Sequence, residues 1–169
     1  MDPVEQLREE HENIKRGLKL LNIAGRMADD GSLPQNETDK LLTFFKNYAD
    51  IGHHQKEEDI LFVKLLNINT DLKSSSSPIS VLSEQHVQGR NLMNKLKLMD
   101  DRFSLFVTDY NSLLQRHIEI EDEVFPVLVE DNLNNSEISA IYLEFQNVDS
   151  NLNLYSYLKI LDQLEVFLL

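Results

Sequence analysis

Apolar residues recur along most of this chain at intervals of three and four, the spacing that puts them on one face of an α-helix. Val4, Leu7, His11, Ile14, Leu18 and Leu21 share such a face over residues 4–29, and Asp29-Asp-Gly-Ser-Leu-Pro34 ends the segment. Residues 36–67 carry Phe44, Tyr48, Ile51, His54, Glu58, Leu61, Phe62 and Leu65 on one stripe. After the flexible connector Lys73-Ser-Ser-Ser-Ser-Pro78, a third segment shows Ile79, Leu82, His86, Gly89, Met93 and Leu96, with Pro78 placed to open it. A fourth, over residues 102–131, shows Phe103, Phe106, Tyr110, Leu114, His117, Glu121, Val124 and Leu128. Glycine and proline are scarce and β-type alternation is hardly seen. The pattern predicts an all-α protein, with residues 1–133 forming an up-down antiparallel four-helix bundle.

From Ser136 onward the pattern predicts one or two additional C-terminal helices, making residues 134–169 an extension. Its end is apolar on more than one side, while Lys159, Asp162 and Glu165 keep it out of a bilayer. A wide apolar stripe needs a cover, so this extension either packs on the bundle or forms an oligomer contact, a homodimer through the C-terminal helix.

Composition narrows the chemistry. A length of 169 residues fits one core. The chain has no cysteine, which excludes disulfides, iron–sulfur clusters and thiolate metal sites. Any metal is then held by His and carboxylate, a set suited to iron, manganese or zinc. A net charge of −13 opposes a nucleic-acid partner. No apolar run reaches the ~20 residues that span a bilayer, and the start, Met-Asp-Pro-Val-Glu-Gln, lacks the features of a secretory signal. A cytoplasmic location is expected.

Two segments match each other: His54-Gln-Lys-Glu-Glu58-Asp-Ile-Leu-Phe62 and His117-Ile-Glu-Ile-Glu121-Asp-Glu-Val-Phe125. A histidine and a glutamate four apart lie one turn apart on one helical face, so each segment can aim an imidazole and a carboxylate at a common point. Four of the five histidines, His11, His54, His86 and His117, fall on the apolar stripes of four different segments. One such histidine is usually an ordinary core residue. Four, with two inward glutamates that would repel each other without a cation between them, make a metal site. His53 and Glu57 share the His54–Glu58 spacing, but stepping from His53 gives Lys46, Asp50 and Lys64, a polar stripe. On that ground His53 is expected to face solvent. Gly89 and Tyr110 lie near the expected site: Gly89 either leaves space for a ligand or allows close helix approach, and Tyr110 either bonds a ligand or is a core tyrosine.

These residues resemble the hemerythrin-like, or HHE cation-binding, domain family. The resemblance rests on Glu10-His11-Glu12-x-Ile14, His53-His54-x-Lys56-Glu57-Glu58-x-x-Leu61-Phe62, His86-x-x-Gly89-Arg90 and His117-x-x-x-Glu121-x-x-x-Phe125-Pro126. It implies a four-helix bundle around two iron ions with an oxo or hydroxo bridge, zinc or manganese being alternatives. His11, His54, His86 and His117 would be terminal ligands, and Glu58 and Glu121 would bridge. Oxygen-carrying hemerythrins have two histidines four residues apart on the third helix, whereas Leu82 and Arg90 flank His86 at that spacing. A fifth histidine is thus expected to be missing, leaving a position open on both metals. The resemblance implies a protein that binds O2, NO or iron for sensing, storage or detoxification. The alternative is a di-iron redox enzyme or iron donor in nitrosative or oxidative stress and iron–sulfur cluster repair, with peroxide among its substrates. A third reading keeps the metal as a structural or regulatory element.

Overall fold

A computed structural model describes residues 2–169, and among these it is all-helical. Helix α1 (Pro3–Asp29) opens where Asp2 accepts a hydrogen bond from the Val4 amide and Pro3 needs no donor. It closes at a turn where Gly31 takes φ +70°, open to glycine without strain. The next helical run begins as α2 (Gln35–Phe44) and ends as α3 (Phe62–Ile68). Between them lie two π-helical stretches, Phe45–His54 and Glu57–Leu61, where the sequence predicted one regular α-helix. A 3-10 turn (Thr70–Lys73) leads to α4 (Pro78–Leu96), capped by the Ser77 hydroxyl accepting from the Ser80 amide. Helix α5 (Phe103–Asn132) carries Pro126 in its interior. Proline cannot donate to the carbonyl four residues back, and that carbonyl, on Asp122, instead accepts from Arg8 Nη2 at 3.0 Å.

The core divides into two apolar clusters. One holds Ile14, Leu18, Phe44, Phe45, Tyr48, Met93, Phe106 and Tyr110; the other holds Val4, Leu7, Leu61, Phe62, Leu82, Phe125 and Phe145. Each of α1, the run from α2 to α3, α4 and α5 crosses from one cluster to the other. At the crossing each buries polar residues: Glu10 and His11; His53, His54, Lys56 and Glu57; His86; and His117 with Glu121. The fold thereby makes a polar band between two hydrophobic layers.

Helix α6 (Asn135–Leu152) starts with a capping box of Asn134 and Glu137, and α7 (Tyr155–Leu168) follows the left-handed Asn153. Helix α7 lies against α1 and α2, burying Leu161 and Leu164. Arg16 fastens it, donating to Glu165 at 2.9 and 2.7 Å and to Asp162 at 2.6 Å. Val166, Phe167 and Leu169 stay exposed. No helix among the described residues is long and apolar enough to cross a membrane.

Candidate metal centre

The polar band gathers all five histidines and two glutamates, each 5 % exposed or less. Two groups of ligand atoms form within it. His54, Glu57, His86 and His117 make one, and His11, His53, Glu57 and Glu121 the other, with ligand atoms inside each within 4.8 Å of one another. Glu57 belongs to both: Oε1 lies 3.2 Å from His53 Nε2, and Oε2 lies 3.3 Å from His86 Nε2. Glu121 mirrors it, with Oε2 3.2 Å from His11 Nε2 and Oε1 2.9 Å from His117 Nε2.

Four rings have their orientation set from behind. Nδ1 of His11 donates to Asp122 at 2.8 Å, His53 to Glu10 at 2.8 Å, His86 to Glu58 at 2.7 Å, and His117 to the Gln85 amide oxygen at 2.9 Å. These acceptors carry no proton to give, so each Nδ1 is the donor and each Nε2 is left facing inward. There the Nε2 atoms meet in pairs, His11 with His53 at 3.1 Å and His86 with His117 at 2.9 Å. Two lone pairs at that distance repel unless a proton or a cation lies between them.

Charge within the band points the same way. Burial alone would push His53 and His86 down, but Glu57 with Glu10 raises His53 to about 10, and Glu121, Glu57 and Glu58 raise His86 to about 11. Against its own burial, Glu121 is held well below the usual carboxylate range by His117, His11 and His86. His54 is pushed well below the ordinary histidine value by burial and by His86 and His117, which keeps it neutral. All four carboxylate oxygens of Glu57 and Glu121 are nonetheless buried without a hydrogen-bond partner. Buried anionic oxygens left so are costly, and a multivalent cation among them would satisfy all four while replacing the protons on the rings. The donor set of imidazole nitrogen and carboxylate oxygen fits iron, manganese or zinc.

The structure brings His11, His54, His86, His117 and Glu121 together as the sequence placed them, but not Glu58. That residue lies at the rim, its side chain 28 % exposed, holding His86 Nδ1 and pairing with Arg90 through both oxygens at 2.9 Å. Glu57 occupies the inward position, and His53, expected in solvent, is buried. The π-helical stretches are the reason. In a π turn the bond runs from residue i to i+5 instead of i+4, as from the Gln55 amide to Asp50 and from the Phe62 amide to Glu57. Each such turn spends an extra residue, so a stripe drawn with helical period 3.6 slips by one. Adjacent residues His53 and His54 then both reach the band. The fifth histidine, expected to be missing from the third helix, is thus His53 on the second. A sequence signal for it existed in the pairing of His53 with Glu57 at the same spacing as His117 with Glu121.

Gly89 and Tyr110 line a cavity of about 10 Å³ beside His54, with Phe45, Asp50, Arg90 and Met93. A Cβ on Gly89 would stand 3.9 Å from Leu113 and Tyr110, ordinary contact, so close helix approach does not require the glycine. Tyr110 is a core residue, packed edge-on against Phe45 with ring centres 5.4 Å apart.

A buried histidine–carboxylate cluster on helices, with rings aimed from behind and inward oxygens unsatisfied, defines a helical metal-binding protein. The family model described as the hemerythrin HHE cation-binding domain matches residues 2–139, and the chain belongs to that family. No curated protein and no solved structure matches it.

Proposed function

We propose that this protein holds a pair of iron ions in the polar band and uses them to bind a small ligand, O2 or NO, or to hold iron itself, for sensing, storage or detoxification. The observation that carries this reading is the sharing of Glu57 and Glu121: each faces one ligand group with one oxygen and the other group with the second. Such carboxylates bridge two cations, and one cation would leave part of the set unused. His54, His86 and His117 would hold one ion, and His11 and His53 the other, with Glu57 and Glu121 spanning both. Bound there, iron would supply an available coordination position and reversible one-electron chemistry.

The chain's own residues provide the rest. Asp122, Glu10, Glu58 and Gln85 fix the rings, and the two apolar clusters exclude bulk water. The cavity beside His54, about 10 Å³, is near the size of one water molecule, which limits what can approach from that side. The order in which the helices cross the two apolar clusters supports an up-down antiparallel four-helix bundle, with α6 and α7 as an extension laid on it. A redox enzyme acting on peroxide or NO, or an iron donor, drew its motivation from a missing fifth histidine. His53 supplies that nitrogen, and the binding reading gains accordingly.

The test is metal content per chain with an optical spectrum, on protein from iron-supplemented cells. Two irons per chain and near-ultraviolet charge-transfer bands, changing on exposure of the reduced protein to O2 or NO, are expected. Zinc in a single site would overturn the reading, and two irons with a spectrum indifferent to both gases would overturn gas binding and leave iron holding.

A further inference from the structure

Asp149 and Leu154 lie beyond residue 139, where the family match ends, yet both rest on the helical run that carries His53. The methyls of Leu154 fill the place of a side chain at Gly52, where a Cβ would meet them at 2.6 Å. Asp149 Oδ2 accepts from Gln6 at 2.7 Å, and Oδ1 accepts from the Lys56 ammonium at 2.6 Å. Lys56 is 0 % exposed, a rare state for lysine unless it is paired. Its second partner is Glu10 Oε1, and Glu10 Oε2 accepts from His53 Nδ1 at 2.8 Å. Charge alternates along this chain of groups: anionic Asp149, cationic Lys56, anionic Glu10, then the imidazole.

We infer that Lys56 and Asp149 are positioning residues that set, through Glu10, how strongly His53 donates to a metal, so that helix α6 acts on the metal centre from outside the family domain. The inference rests on the proposed function in that His53 is taken as a ligand. A carboxylate accepting from Nδ1–H makes the ring a stronger donor at Nε2. A cation beside that carboxylate weakens its pull, and an anion beside the cation restores it. Removing the Lys56 charge therefore strengthens His53 as a donor, and removing the Asp149 charge weakens it. The other rings differ. Asp122 and Glu58, behind His11 and His86, are partly exposed, and Gln85 behind His117 is neutral.

The experiment compares the full chain with Asp149→Asn and Lys56→Met by NMR of 15N-labelled histidine, in metal-free and Zn2+-loaded protein. The His53 Nδ1–H proton should move upfield in Asp149→Asn and downfield in Lys56→Met, as its hydrogen bond weakens and strengthens. In iron-loaded protein the midpoint potential should rise in the first and fall in the second, and Fe2+ affinity should drop by about tenfold in Asp149→Asn. A merely structural role would move both variants in one direction together with their melting temperatures. Shifts of the same sign, or an unmoved proton, overturn the inference. Where Lys56→Met does not fold, Asp149→Glu decides: return of the resonance to its wild-type position supports a role for the charge, and persistence of the Asn shift refutes it. Wild-type protein that takes up no iron would overturn the functional reading, while the metal-free resonance still decides this inference.

Discussion

Glu57 and Glu58 are neighbours in sequence with opposite fates in the structure, and exchanging each for glutamine separates them. Glu57 is fully buried, faces both ligand groups and has no hydrogen-bond partner for either oxygen. Glutamine there offers one neutral oxygen and turns an NH2 toward rings whose Nε2 should face a metal. Two metals should therefore fail to bind in Glu57→Gln. Glu58→Gln keeps an amide oxygen for His86 Nδ1 and loses only charge. Removing such a supporting partner altogether costs about 10–100-fold in metal affinity, roughly 1.4–2.8 kcal/mol, which is the upper bound for weakening it. The lost charge pairing with Arg90, at the partly exposed rim, removes a further ~1 kcal/mol or less of folding stability. The assay is metal per chain together with the rise in melting temperature on loading. Metal at a thousandfold excess over its Kd stabilises by about 4 kcal/mol, which for a chain of this size raises the melting temperature by roughly 8–16 °C. That rise should vanish in Glu57→Gln and persist, reduced, in Glu58→Gln. The reverse result, metal lost with Glu58 and kept with Glu57, would show that the helix holds a 3.6-residue register in solution and would refute the placement.

His53→Ala should cost the two-histidine ion and leave at most one metal per chain by elemental analysis. Retention of both would return His53 to the surface. Gly17→Ala should destabilise, because a Cβ there would meet the buried Phe44 and Phe45 rings at 2.7 and 3.0 Å. Overpacking of that kind costs about 1–3 kcal/mol, against ~1 kcal/mol gained in helix propensity. Gly89→Ala meets only ordinary contacts at 3.9 Å, so it should raise the melting temperature by about 2–4 °C from that same ~1 kcal/mol. In the metal-free protein His53 and His86 are raised from 6.5 to about 10 and 11. Their contribution to its stability is then fully present below pH 6.5 and lost as pH rises through 10–11. The same protons must leave when metal binds, so loading at pH 7 should release protons in a weakly buffered titration and apparent affinity should climb with pH. Loading without proton release would contradict the charge assignment.

Where the backbone keeps period 3.6, the sequence was readable. Helix α1, expected over residues 4–29, spans Pro3–Asp29; the segment opened by Pro78 spans Pro78–Leu96; and that over 102–131 spans Phe103–Asn132. The starts of α1 and α4 and the end of α1 are set by local chemistry: Asp2 and Ser77 as caps, proline as the first helical residue, Gly31 in a positive-φ turn. His11, His86, His117 and Glu121 were legible because an ionisable residue on an apolar stripe stands out against its neighbours. Lys56 and Glu10 were not, since a lysine and a glutamate distant in sequence look like surface residues until the fold buries them as a pair.

The register of Glu57 was hidden for a different reason. Periodicity reads side chains and assumes the hydrogen bonding of the backbone, and between Phe45 and Leu61 that assumption fails. Long π-helical stretches are rare, and short ones concentrate at functional sites. Here the stretch does something an α-helix does poorly: it turns two consecutive histidines inward around the same glutamate, His53 toward α1 and α5 and His54 toward α4 and α5. With His53 on one side and His54 on the other, Glu57 can meet both ligand groups at once. The irregular backbone and the hidden ligand are one fact, and a pair of adjacent histidines, each with a glutamate four residues on, is the sequence feature that should prompt a test of both registers before either is rejected.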